Sequence, residues 1–249
     1  MAEAIEGVPE PLGVTLQDGG VNVAIHAPGA SALFFCAFDA ADGETRIALP
    51  GRTGDVFHGF VHGIGAGARY GLRAEGSGQR FNAAKLLVDP WATALDERFV
   101  LHRAMFDTGD ATDSAPFIPK AVVQPPLPPV MPWRAAGPHM IYELHVRGFT
   151  MLHPDVPEAI RGTFAGLAHP AAVAHLKRLG VTLVELMPCA AWVDERHLPP
   201  LGLSNYWGYN PVAFLVPDPR LAPGGMAEVR AAVAVLHDDL PDSDALYFR

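Results

Sequence analysis

The residues of this chain best suited to chemistry are a few carboxylates and a cluster of aromatic rings. Glu143 and Glu185 each stand inside a short apolar run, Glu143 close to Tyr142 and His145, Glu185 between Val184 and Leu186; Asp194 and Glu195 lie in a polar stretch downstream. Two carboxyl groups facing one bond can act as nucleophile and general acid. A single Glu within a strand reads instead as a structural carboxylate, and Asp194 and Glu195 read as solvated loop acids. Further on, Ser204 to Pro211 ("SNYWGYNP") sets Tyr206, Trp207 and Tyr209 beside Asn205, Gly208, Asn210 and Pro211. Gly, Pro and Asn punctuate turns, so these rings belong to a loop. Such a loop packs on its own support, offers a partner surface, or forms a platform for a ligand.

The other reactive side chains exclude more than they suggest. His26, His58 and His62 in the first half, and His139, His145, His169 and His175 in the second, lack metal-ligand spacing. They read as strand-face, structural or surface residues, and neither a metal nor a cofactor is implied. Cys36 and Cys189 sit in apolar runs, as buried reduced thiols do. A net charge of -9 without any basic run argues against nucleic acid. No apolar run reaches the ~20 residues of a membrane span, and the acidic start "MAEAIEGVPEPLG" is no signal peptide. The expectation is a soluble, cytoplasmic protein; 49% hydrophobic residues are ample for a core.

Two kinds of element must position these residues. From Leu12 to Glu75, "GVTL", "VNVAIHA", "SALFFCAF", "TRIAL", "VFHGFV" and "RYGLRAE" are short apolar runs split by turn signals, with Asp18-Gly19 between the first two marking a hairpin. Six strands at this spacing predict an antiparallel β-sandwich over residues 1–120. "RFNAAKLLVDPWA" closes it, with Trp91 and Phe81 expected to pack at a domain junction or, less simply, to hold a ligand. A Pro-rich connector is expected over 121–138. Beyond it, Met140–Val146 and Val181–Pro188 read as strands, the second buried between helices. A helix from Pro170 to a stop at Gly180 carries Val173, Leu176 and Leu179 on one face, and a later one carries Met226, Val229, Val233 and Leu236. Strand–helix alternation over 139–249 predicts parallel pairing. After His237, "DDLPDSDALYFR" shows no third apolar strand.

Several stretches together resemble the bacterial glycogen debranching enzymes and isoamylases of the α-amylase superfamily: "YELHVRGFT", "GTFAGLA", "LKRLGVTLVELMP" and "NYWGYNPVAFLVPDPRLAP". "DGGVNVAIHAPGASALFFCAFD" and "RFNAAKLLVDPWA" resemble the glycogen-binding-type sandwich that precedes their catalytic barrel. The resemblance implies a multidomain β plus α/β protein, a β-sandwich followed by the first two βα units of a truncated (β/α)8 barrel. It implies hydrolysis of α-1,6 linkages in glycogen or limit dextrin, with an α-glucan as partner. Tyr209 would stack on the sugar, and Asn205, Tyr206 and Trp207 would line the same mouth.

The catalytic carboxylates are not carried over. The family places them after its fourth, fifth and seventh strands, and the third-strand motif Asp-x-x-x-Asn-His is absent, with no Asn after Asn210. An internal deletion plus truncation, or a fragment, accounts for this most simply, and the chain is expected not to hydrolyse glycogen by itself. A non-catalytic glucan-binding protein is the alternative; a relic with exposed sheet edges that does not fold stably is a third possibility.

Overall fold

A computed structural model describes residues 3–78, 80–106, 109–129, 140–240 and the backbone of 246–248. The chain divides into two compact units, one of residues 1–128, 194–202 and 213–215, the other of 129–193, 203–212 and 216–249.

Among the described residues the first unit contains nine complete strands: β1 (Ala4–Ile5), β2 (Gly13–Gln17), β3 (Gly20–His26), β4 (Ala30–Phe38), β5 (Glu44–Ala48), β6 (Gly51–Thr53), β7 (Val56–His62), β8 (Arg69–Gly76) and β9 (Ala121–Val122). They form two antiparallel sheets, β1-β7-β3-β2 with β6 on β7, and β5-β4-β8-β9. All six strands read from the sequence are present. Gln17 pairs with Gly20 across the Asp18-Gly19 turn, where Gly19 adopts φ 83°, a left-handed conformation that favours glycine. Period-2 alternation puts Val21, Val23, Phe35, Val61 and Leu72 in the interior, none more than 2% exposed.

The outer faces are covered as well. Asn22 on β3 is buried and grips the N-terminal segment, accepting from Val8 N at 2.9 Å and donating to Val8 O at 3.0 Å. On the other sheet, Cys36 and Phe38 pack against Leu86, Ala115 and Ile118 from the segment that crosses over it. Burial pushes the Cys36 thiol up, so it stays protonated. Arg73 enters this layer at 1% exposure, donating to both oxygens of Glu44, to Asp113 and to Ala83 O. A guanidinium out of water is tolerable only with such partners. Ala121 and Val122 pair with β8 and thus lie in the sheet rather than in the connector. Residues 130–138 of that connector, and His139 after it, lie outside the described residues.

The second unit holds β10 (Ile141–Leu144), α1 (Val146–Thr150), α2 (Phe164–Leu167), α3 (Pro170–Leu179), β11 (Leu183–Leu186), β12 (Ala190–Trp192), both ends of β13 (Pro211–Pro217), α4 (Gly225–Asp239) and β14 (Leu246–Phe248). β10, β11 and β14 form a parallel sheet in that order, and β12 pairs with β13. α3 starts at Pro170 and stops at Gly180 in the left-handed conformation, as its sequence signals require. Val173 and Leu176 are buried in the helical core with Phe164, Leu186, Val229 and Leu236.

Four expectations need correction. Leu179 is 41% exposed, because the helix ends at the next residue and turns it away from the core. The first strand stops at Leu144, since the His145 Nδ1 accepts from Gly148 N and caps α1. The expectation that no strand follows His237 fails: β14 pairs with β11 through Val184–Leu246 and Leu186–Phe248. Finally, the sheet is not sandwiched between helices. Tyr142, Leu144, Val184 and Leu186 face the helical core, whereas Ile141 on the opposite face is 58% exposed. Glu143 and Glu185 stand side by side on that second face as register partners.

Candidate functional site

Buried groups of the second unit build the aromatic loop from beneath. Asp218 at the end of β13 is fully buried; it accepts from Arg220 Nε at 2.8 Å and from Trp192 N at 3.3 Å. Arg220 lies over the Trp192 ring at 3.8 Å, a stacking geometry favoured by guanidinium. Trp192 is 3% exposed and donates its Nε1–H to Asn205 O at 3.1 Å. Cys189, beside this frame, is held protonated: burial, with Asp218 nearby, pushes its pKa up to about 12.

Asn205 continues the support. Its Oδ1 accepts from Gly208 N at 2.8 Å, closing a tight turn around Tyr206 and Trp207. Gly208 adopts φ 76°, and a Cβ there would lie 3.0 Å from Pro188 O and 3.3 Å from the Trp192 ring. Only glycine meets both demands without strain. Asn210 then anchors the far end, donating to Val193 O at 3.0 Å.

His145 completes the frame. Its ring stacks on Tyr206 with centroids 4.6 Å apart and planes at 13°, and Nε2 donates to Tyr206 O at 2.9 Å while Nδ1 accepts from Gly148 N at 3.1 Å. This pattern requires the neutral ring with its proton on Nε2. Burial lowers the His145 pKa, against the Tyr206 carbonyl that raises it, so the neutral form persists. Trp207 stands edge-on to both rings, 5.4 Å from Tyr206 and 5.9 Å from His145.

On this frame the rings face solvent: Tyr206 is 44%, Trp207 54% and Tyr209 57% exposed. An aromatic surface that is open yet fixed from beneath offers apolar faces at little ordering cost. The structure thus brings together Tyr206, Trp207 and Tyr209 of the expected residues. Asn205 differs: it is 7% exposed and shapes the turn rather than lining a mouth. Sequence reasoning gave His145 a structural or surface place without its contact with the loop, and missed Trp192. The His145 signal was its place between a strand and a Gly three residues on, a capping arrangement hidden in an apolar run. His169 and His175 keep structural places, His169 capping α3 and His175 edge-on to Tyr142. Among the described residues no three His, Cys, Asp or Glu are grouped to hold a metal ion. No helix among them is long and apolar enough to cross a membrane.

A family model for carbohydrate-binding module 48 (isoamylase N-terminal domain) matches residues 11–92. A glycogen debranching enzyme of Klebsiella pneumoniae (strain 342) is 43% identical over 258 residues, covering 95% of this chain and 38% of that relative. One from Yersinia pseudotuberculosis serotype IB (strain PB1/+) is 42% identical over 259 residues, with 96% and 38% covered. The chain thus spans well under half the length of the curated relatives it matches. Among solved structures, the catalytic module of the multi-modular glycogen-degrading pneumococcal virulence factor SpuA has a TM-score of 0.70 at 22% identity, covering 96% of this chain and 36% of that one. Pullulanase from Anoxybacillus sp. LM18-11 has a TM-score of 0.66 at 20% identity, with 92% and 32% covered. At such identities these two speak for the fold alone. The resemblance to the debranching and isoamylase group holds over nearly the whole chain, which corresponds to an N-terminal portion of such proteins.

Proposed function

We propose that this chain, which carries an isoamylase-type carbohydrate-binding module and is related over nearly all its length to glycogen debranching enzymes, is the α-glucan-binding part of a debranching-type glycoside hydrolase. The observation that carries this is the loop of three solvent-facing rings, Tyr206, Trp207 and Tyr209, held on a buried frame. The C–H faces of pyranose rings lie against aromatic faces, and such sites combine apolar walls with few polar groups. In this reading the parallel sheet is the first part of a (β/α)8 barrel. Its bare face would turn inward and the loop would form one wall of the substrate cleft. The substrate is glycogen or limit dextrin and the bond an α-1,6 linkage.

Retaining hydrolysis of that bond needs a nucleophile and an acid about 5–5.5 Å apart. Glu143 and Glu185 lie within the strands rather than at their C-terminal ends, where barrel enzymes carry their reacting groups. We assign them to packing of the sheet face. The chain by itself therefore binds without cleaving.

Affinity electrophoresis in glycogen-containing gels tests the reading. Wild-type chain is expected to be retarded. Joint substitution of Trp207→Ala and Tyr209→Ala should weaken retention roughly tenfold, as loss of exposed aromatic anchors does, with mobility in glycogen-free gels and the melting temperature unchanged. Equal retardation of both proteins overturns the site; release of reducing ends by the purified chain overturns the assignment of its carboxylates.

A further inference from the structure

The first unit carries a second aromatic feature that the loop does not explain. Trp91 is 49% exposed although its surroundings are closely ordered. It borders a groove of about 240 Å³ lined by Val14–Leu16, Tyr70, Trp91–Thr93 and residues 122–127. None of the lining residues is charged, in a chain whose net charge is -9. Thr15, Thr93 and Gln124 contribute two hydroxyls and an amide, while Pro125, Pro126 and Leu127 form an apolar lip.

A buried anchor fixes the walls of this groove to one another. Asp89 is fully buried, and its Oδ1 accepts from Trp91 N at 2.8 Å while its Oδ2 accepts from Tyr70 OH at 2.8 Å. The Val14 backbone bonds the same carboxylate, so β2, β8 and the 89–93 turn share one acceptor. Gly13 adopts φ 96°, and a Cβ there would meet the Trp91 Cβ at 2.6 Å. Glycine alone lets β2 begin against this tryptophan. An exposed ring on so rigid a base is unlike a scattered surface apolar residue, because its ordering is already complete before any ligand arrives.

We propose that the Trp91 groove is a second α-glucan subsite, separate in residues from the aromatic loop. An uncharged groove with one presented ring, two hydroxyls and an amide matches a neutral polyol with apolar faces. It does not match a phosphorylated or acidic ligand, for which no cation is present. Val14–Leu16, Tyr70, Trp91 and Ala92 of its lining fall within residues 11–92, matched by the carbohydrate-binding family model. The inference rests on the α-glucan reading above and adds where on the first unit the polymer lies. Two subsites on one chain would raise retention on a branched polymer through effective concentration, with no new contact at either.

Residue-resolved tryptophan oxidation separates the two sites. The full chain is oxidised with N-bromosuccinimide with and without maltoheptaose, and peptide masses give the rate at Trp91, Trp192 and Trp207. The inference predicts severalfold protection of Trp91. Protection of Trp207 without Trp91 overturns the groove and leaves the loop standing; protection of Trp91 without Trp207 does the reverse; protection of neither overturns both. In glycogen gels, Trp91→Tyr should keep retention and Trp91→Ala should lose part of it, even on a background of Trp207→Ala and Tyr209→Ala. If the alanine variant does not fold, protection in the wild type still decides.

Discussion

The two units solve the burial of a β-sheet differently. In the sandwich the central strands are covered on their outer faces as well, and polar side chains reach across the layers there: Asn22 onto Val8, Arg73 onto Glu44 and Asp113. The parallel sheet packs one face on its helices and leaves Ile141 exposed on the other, beside Glu143 and Glu185. One unit is finished by its own sequence, with polar anchors as essential as apolar ones. In the other, among the described residues, the apolar packing of the sheet lies on the helical side.

That contrast is sharpest in stability. Removing the guanidinium in Arg73→Ala leaves Glu44 with Arg46 as its remaining cation and takes the buried donor from Ala83 O, which should cost about 2–3 kcal/mol in denaturant unfolding. An effect below about 1 kcal/mol would mean that the polar anchor is dispensable and the contrast false. Acid should act next. Burial raises the Glu44 pKa, but its bonds to Arg73 and Arg46 overcome this and hold it at about 2, against an ordinary 4.5. Its contribution is present above pH 4.5 and is lost as pH falls toward 2, at most about 3 kcal/mol. The aromatic loop should respond earlier. The His145 pKa is depressed below 6.5, so its frame is fully stable above that pH and weakens as pH falls below it. Thermal melts and glycogen retention followed from pH 7 to pH 3 should show binding decline before the sandwich does; the opposite order contradicts the frame. The smallest effect belongs to the bare face, where Ile141→Thr should change stability by less than about 0.5 kcal/mol. A loss of 2 kcal/mol would show that this face is packed.

Much of this was legible in residue order. Turn signals bounded the six main strands, and Pro170 and Gly180 bounded α3, because local backbone preferences decide those points. What escaped depends on distant partners. Arg73 reads as an outward strand residue until Glu44, 29 positions away, and Asp113, 40 away, meet it on the sheet. His145 looked like the continuation of a strand, and its stacking on Tyr206 comes from a residue 61 positions on. Asn205 passed for a mouth residue because its type suits hydrogen bonds to sugar as well as it suits a turn. β14 is three residues long with charged and polar neighbours, too short for a period-2 pattern to register.

The central claim is that solvent-facing rings on a buried frame hold an α-glucan. Indole N–H resonances of the ¹⁵N-labelled chain, assigned by single Trp→Phe substitutions, report ring and frame separately. Trp207 lies on the exposed surface, whereas Trp192 donates its N–H to Asn205 from the interior. On titration with maltoheptaose the Trp207 resonance should move saturably while that of Trp192 stays in place. A Trp207 resonance that does not move at saturating maltoheptaose would contradict the account.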